Sequence, residues 1–412
     1  MNIFLLLVLF ILIAACVLNL IVNGLNLRHC KPELPSEFEG YYNTDKYKKS
    51  QQYLRDKTGF GMASHGVLTV AMIIFILTGG FNWIDQIARA FHFGQICTGL
   101  IFAGMLMLIA ELMMIPFSAY ETFVIEENYG FNRTTVRTFV LDIFKSMILF
   151  VFIGGLAFSI CILLFEIGGT WAWVYCWAGL TVFQLLVSFI APVVIMPLFN
   201  RFTPLEPCEL RNAIETYARA QKFKIKGVFI MDSSKRSTKA NALFTGFGKY
   251  RRIVLFDTLI KDYSTNELVS VLAHEMGHYK KKHIVKMITL AILSSGLMFY
   301  LLSLLIEYQP LFNAFKMSHT SIYASFVLFS FLYLPVETII STFSNWVSRR
   351  HEFQADAYAV ETFKKPESMI SALKRLSVDN LSNLTPHPIK VFISYSHPPI
   401  LKRIQSIRSL LT

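Results

Sequence analysis

The sequence predicts a mainly α, polytopic membrane protein: seven transmembrane helices plus a soluble segment that contains a small β-sheet. Three observations carry this fold class. Of 412 residues, 54% are hydrophobic and only 16% charged, and the mean hydropathy is +0.48; a soluble globular chain carries about 25% charged residues. Apolar runs near the length of about 20 residues that crosses a bilayer lie at 3–24, 66–84, 97–118, 140–165, 171–195, 284–307 and 321–345. The connections between them alternate in basic charge, as the orientation of membrane helices demands.

Residues 1–195 hold the first five spans and their loops, 196–283 a soluble segment, 284–345 spans six and seven, and 346–412 a C-terminal segment. Span one has no basic flank ahead of it and no small-residue cleavage site, so it reads as a retained helix rather than a signal peptide. Span two is the shortest, and span seven is interrupted by Pro335 and Glu337. The first connection carries Arg28, Lys31, Lys46, Lys48, Lys49, Arg55 and Lys57, and the second only Arg89. The third has Arg133 and Arg137, the fourth none, the fifth sixteen Lys or Arg, the sixth only Lys316 and the tail ten. Basic connections face the cytoplasm. The N-terminus is therefore expected outside, and the 196–283 loop and the C-terminus in the cytoplasm.

Glu111, Gln184 and Glu337 fall inside apolar runs. Polar groups at membrane depth pair between helices or face water-filled space. The soluble segment reads as a helix over 204–222, strands over 226–231, 240–247 and 252–257, then a helix from Ser264, where Ser264-Thr265-Asn266-Glu267 has capping-box form. With no Gly or Pro after Gly277, that last helix is expected to run on into span six. His278 then lies about 9 Å along the axis from Ile284, at the membrane face.

The formal net charge of +12 follows from the basic cytoplasmic loops of a membrane protein. No basic stripe with interleaved aromatics suggests nucleic acid as a partner. Cys16, Cys30, Cys97, Cys161, Cys176 and Cys208 are scattered without a C-x-x-C pair, so neither a disulfide framework nor a cysteine metal site is expected. No lipidation or retention signal ends the chain. Three N-x-S/T sequons, at Asn132, Asn380 and Asn383, fall on expected cytoplasmic segments. Nothing in the pattern bears on oligomeric state.

Residues 274–278 read His274-Glu275-Met276-Gly277-His278. On a helix, positions i and i+4 share a face, so both imidazoles reach one zinc ion. Glu275 sits beside it, placed to take a proton from a water that the metal activates. A catalytic zinc takes three protein ligands and keeps one position open. The third is sought in His351-Glu352-Phe353-Gln354-Ala355-Asp356, just after span seven: Glu352 and Asp356 share a helix face, and His351 is a rival because imidazole binds zinc well.

The chain resembles the CAAX prenyl protease 1 family of integral-membrane zinc endopeptidases. The resemblance rests on Glu126-Glu127-Asn128-Tyr129-Gly130-Phe131-Asn132, on Met196-Pro197-Leu198-Phe199-Asn200-Arg201-Phe202-Thr203-Pro204-Leu205, and on Ser234-Lys235-Arg236-Ser237 through Asn241. It continues over Arg252-Ile253-Val254-Leu255-Phe256-Asp257-Thr258-Leu259, the His274–His278 helix, Ser348-Arg349-Arg350 with the segment from Glu352 to Asp356, and Ser396-His397-Pro398. It implies seven helices forming a barrel around a large water-filled internal chamber, with 196–283 as a zincin-like metalloprotease segment and 346–412 carrying the third ligand and the His-Pro motif. It implies one catalytic zinc ion held by His274, His278 and Glu352, Asp356 close outside the ligands, Asn241 as a substrate contact, and His397 as support for the tetrahedral oxyanion. His351 departs from the family, where an aromatic residue is common, and is read as packing.

The expected function is a membrane zinc endopeptidase cutting near the C-terminus of prenylated CAAX-type proteins or peptides. An extended peptide is expected to pair with the strand near 240–245. The expected location is the endoplasmic reticulum membrane in a eukaryote or the inner membrane in a bacterium. The alternative is a membrane quality-control metalloprotease acting on unprenylated proteins. A non-proteolytic metal-dependent channel or receptor fits less well, because a structural zinc site needs no base at Glu275.

Overall fold

Among the described residues, seven helices are long and apolar enough to cross a membrane: α1 (Ile3–Arg28), α2 (Thr44–Leu77), α4 (Gln95–Glu126), α5 (Val136–Ile167), α6 (Gly169–Phe199), α9 (His283–Ser303) and α10 (Ile322–Phe363). The computed structural model describes residues 2–245 and 252–411. α3 (Gly80–Arg89) follows α2; α7 (Glu209–Ala220) and α8 (Thr265–Lys280) lie in the soluble segment, and α11 (Pro366–Asp379) and α12 (Ile400–Ser409) in the tail.

The second span differs from the expected 66–84. α2 begins at Thr44, because its first turns are polar and carry no hydropathic signal, and Asn43 caps it by accepting from the Lys46 N–H. It stops at Leu77. Gly79 adopts φ 78°, and a Cβ on Gly80 would lie 2.3 Å from the Phe75 ring, so the chain reverses where only glycine fits. Residues 80–89 then form a separate amphipathic helix whose Phe81, Ile84 and Ala88 are buried.

The most apolar stretch of α6 buries no residue, and those of α4 and α5 bury few. In a solid bundle the face turned from lipid would be covered. These helices instead wall an open interior. Each contains a wider π-type turn, at Glu121–Glu126, Phe150–Gly154 and Ala191–Ile195; Gly154 and Pro192 are residues that accommodate such breaks.

The interior is closed at one end by a dense plug of Val8, Ile76, Phe81, Phe102, Phe312, Phe315 and Tyr323 among others. Asn2 Nδ2 donates to Pro310 O (2.8 Å), Lys316 Nζ to Leu77 O (2.6 Å) and the Ser318 N–H to Asn82 Oδ1 (2.8 Å). The N-terminus and the second and sixth connections therefore meet at this end.

The other end is closed by the soluble elements. β1 (Phe202–Pro204), β2 (Gly227–Met231), β3 (Ala242–Thr245) and β4 (Arg252–Phe256) form one sheet in the order β1-β2-β4-β3. β2 and β4 are parallel; β1 and β3 are antiparallel additions, with Ala242 opposite Leu255. β1 was not expected from the sequence. It is only three residues long and begins directly after α6. Residues 246 and 247 of the strand expected over 240–247 lie outside the described residues. α8 packs on this sheet through Leu268, Leu272 and Met276, which join Ile253, Leu255 and Leu259 in one core.

α8 does not run on into span six. It ends at Lys280, and Lys282 turns the chain at φ 58° before α9 begins at His283. A left-handed lysine breaks the helix where no Gly or Pro marks it.

Candidate active site

α8 starts where its cap predicts. Ser264 Oγ accepts from the Glu267 N–H, and the Glu267 carboxylate accepts from the Ser264 N–H. From there the helix carries His274 and His278 one turn apart toward α10. The two helices touch at Gly277, where a Cβ would lie 3.0 Å from Ala355 Cα and 3.1 Å from its carbonyl oxygen. A side chain at Gly277 would push the helices apart and draw Glu352 away from both histidines.

His274, His278 and Glu352 converge, with one ligand atom from each lying within 4.8 Å of the others. His278 Nε2 is 3.2 Å from Glu352 Oε1, and the two Nε2 atoms are 3.1 Å apart. Glu352 is 3% exposed, and its Oε2 is buried without a hydrogen bond among the described residues. That oxygen lies 3.3 Å from Arg403 Nη1 and 3.5 Å from His274 Nε2, but neither approach has hydrogen-bond geometry. A buried orphan carboxylate oxygen costs stability unless a cation meets it. Burial acts against a proton on His274, yet the Asp356 and Glu352 carboxylates outweigh it and push its pKa up to about 9. The cluster draws positive charge, and two imidazoles with a carboxylate form a donor set that zinc accepts.

Behind this group, Asp356 Oδ1 is 2.8 Å from His274 Nδ1, so the His274 Nε2 faces inward. Arg403, in the first turn of α12, donates Nε to Asp356 Oδ2 (2.8 Å) and Nη2 to Oδ1 (2.6 Å). Burial opposes its charge, but the Asp356 and Glu352 carboxylates hold the guanidinium firmly protonated. The sequence reading passed over Arg403. Its signal is only that a basic residue follows the His397-Pro398-Pro399 turn at a distance that puts it on the inner face of a new helix.

Glu275, half-buried, lines a cavity of about 670 Å³ together with Asn241, His274, His278, Glu352, His397 and Arg403. Its carboxylate has no hydrogen bond among the described residues. His397 is exposed, with Nε2 3.5 Å from Glu352 Oε1 and Nδ1 2.9 Å from Ser396 Oγ. The Asn241 carbonyl accepts from the Phe256 N–H (3.2 Å), which fixes Asn241 at the start of β3. Asn380 clasps the preceding residue, donating Nδ2 to Ala240 O and accepting from the Ala240 N–H, both at 3.2 Å. The cavity continues into the membrane half past Gln184, Met287, Ile288 and Ala291. Glu337 instead lines a separate cleft of about 320 Å³ between α9 and α10. His351 is buried and stacks face to face on His283 at 4.0 Å. Neither belongs to the converging group of ligand atoms.

Residues 25–201 match the CAAX prenyl protease N-terminal domain, described as five membrane helices, and residues 204–411 match peptidase family M48. The CAAX prenyl protease 1 homolog of Oryza sativa subsp. japonica is 34% identical over 91% of this chain and 90% of its own length. CAAX prenyl protease 1 of Saccharomyces cerevisiae is also 34% identical, over 91% and 88%. The crystal structure of Ste24p from S. mikatae superposes with a TM-score of 0.93 at 33% identity, covering 98% of this chain and 99% of that one.

Proposed function

The chain belongs to peptidase family M48, as a CAAX prenyl protease 1 relative and an integral-membrane metalloprotease, and from that premise we propose a zinc endopeptidase acting near the C-terminus of prenylated CAAX-type proteins or peptides. The observation that carries the metal assignment is the buried, unsatisfied Glu352 Oε2 facing two inward Nε2 atoms. His274, His278 and Glu352 hold one zinc ion, with Asp356 orienting His274 through Nδ1. When bound, the metal supplies Lewis acidity toward the water and the scissile carbonyl.

The remaining steps belong to side chains. Glu275, with no hydrogen bond among the described residues and lining the cavity, takes a proton from the attacking water and passes it to the departing amine nitrogen. His397 donates from Nε2 to the oxygen of the tetrahedral intermediate as charge gathers there. The substrate backbone adds to the edge of β3, one of the two outer strands of the sheet among the described residues, with Asn241 at its start. The cavity's apolar extension along Met287, Ile288 and Ala291 offers space to a hydrocarbon group on the same substrate.

The test is turnover of a farnesylated CAAX-type peptide against its unprenylated twin by the purified protein. Preference for the farnesylated peptide supports the reading. Equal turnover favours the quality-control alternative, and no metal-dependent cleavage of either overturns both. We further propose that the plugged end faces outward and the site faces the cytoplasm, in the endoplasmic reticulum of a eukaryote or the inner membrane of a bacterium. The alternating basic connections support this orientation. Cysteine labels after Lys316 and after Arg403 should report opposite sides, and labelling from one side removes the assignment.

A further inference from the structure

The two histidines of the helix differ in what stands behind them. His274 is backed by a carboxylate locked to Arg403. His278 is backed by another imidazole: its Nδ1 is 3.1 Å from His283 Nδ1, and His283 Nε2 is 2.9 Å from Gln354 Oε1. One proton arrangement satisfies this chain when the His278 Nε2 lone pair points inward. His278 then carries its proton on Nδ1 and donates it to His283 Nδ1. His283 carries its own on Nε2 and donates to Gln354 Oε1, which can only accept. The ring plane of His283 is set by the stack on His351, with 4.0 Å between centroids and 10° between planes.

We propose that His283 is a positioning residue for the metal site, a neutral imidazole relay that fixes the tautomer and orientation of His278, anchored by Gln354 and held flat by His351. The relay gives a purpose to the break at Lys282: a continuous helix would carry His283 around the axis, away from the His278 Nδ1. It also accounts for His351, whose work is that of a flat ring. Gln354 and His351 flank Glu352 on α10, so one helix supplies the third ligand and both supports of the second ligand's partner. The proposal rests on His274, His278 and Glu352 being the metal ligands.

The test measures zinc affinity of the full-length purified protein by chelator competition, with the melting temperature of the metal-free protein as a fold control. His283→Leu should weaken zinc binding about 10–100-fold, the usual cost of losing such an outer partner. His283→Asn, whose side-chain oxygen accepts and whose amide donates, should stay within a few-fold of wild type. Gln354 is exposed, so its variants fold whatever becomes of His283→Leu. Gln354→Leu should weaken binding several-fold, and Gln354→Glu, which keeps an acceptor, should not. His351→Phe preserves the stack and should bind as wild type. If His278→Ala leaves affinity untouched, the ligand assignment itself fails and the relay with it. If His278→Ala releases the metal while His283→Leu and Gln354→Leu both retain it, the relay alone is overturned. Equal losses in Gln354→Leu and Gln354→Glu overturn it as well.

Discussion

Two buried carboxylates mark the two ends of this molecule. Asp85, in the plug, is fully buried and complete: Tyr323 donates to Oδ1 at 2.6 Å and Arg89 Nε to Oδ2 at 2.8 Å. Glu352, at the catalytic end, is nearly as buried and incomplete, with Oε2 lacking any hydrogen bond among the described residues. A buried acid whose every oxygen is satisfied holds elements together. A buried acid left short of a hydrogen bond, beside two imidazoles whose Nε2 atoms face each other at 3.1 Å, is a place built for something absent from the chain. The plug therefore stabilises, and the other end trades stability for a site.

The comparison is broken most sharply by the acid that is neither. Glu275→Ala should keep zinc and fold while cleavage falls by up to about 10⁴-fold, the upper range for a general base. Metal analysis and turnover on the same sample check this, and zinc loss would make Glu275 a ligand.

His397→Ala should retain zinc and lose about 10²–10³ in kcat with little change in KM, as expected for an oxyanion donor. His387 is the control: its Nδ1 accepts from the Ile389 N–H and caps a short helix. His387→Ala should cost about 1 kcal/mol of stability and leave turnover alone. A mainly KM effect of His397→Ala would make it a binding residue.

The next prediction sets the two buried acids side by side. Asp85→Ala strands Tyr323 and Arg89 and should cost roughly 3 kcal/mol of stability, near the lower end for a broken buried pair, with turnover per folded molecule unchanged. Glu352→Ala should do the reverse, losing zinc while the metal-free protein melts no lower than wild type. Thermal unfolding with and without chelator separates them, and similar behaviour of the two variants would erase the distinction.

The smallest effect is in pH. His274 in the metal-free protein holds a proton up to a pKa of about 9, and a ligand imidazole must shed it. Binding therefore releases a proton below that pH, and zinc affinity should rise roughly tenfold per unit from neutrality until it flattens near pH 9. Calorimetry in buffers of different ionisation enthalpy reads this release directly, and a flat profile would mean His274 is unprotonated before the metal arrives.

The spans were legible because an apolar helix must announce itself in composition, and the polar half of α2 was not because water solvates it without a pattern. The start of α8 was legible in Ser264 and Glu267, whose reciprocal bonds are local. Its end was not, since nothing in the identity of Lys282 demands a left-handed backbone. His351 read as packing and is stacked on His283. The relay is invisible in the sequence because an unbroken helix from Ser264 into span six carries His283 around the axis, away from His278, and only the turn at Lys282 brings them together.

By itself the sequence determined what local geometry enforces: seven helices, because backbone in lipid must bond internally, and two imidazoles on one face, because a helix repeats every 3.6 residues. Tertiary structure decided which of three neighbouring side chains meets that pair, and that Arg403 and His283 stand behind it. The pairing of α8 with α10 over Gly277 and Ala355, 78 residues apart in the chain, sets those contacts. Such distances depend on how two helices pack, and no pattern within either helix encodes them.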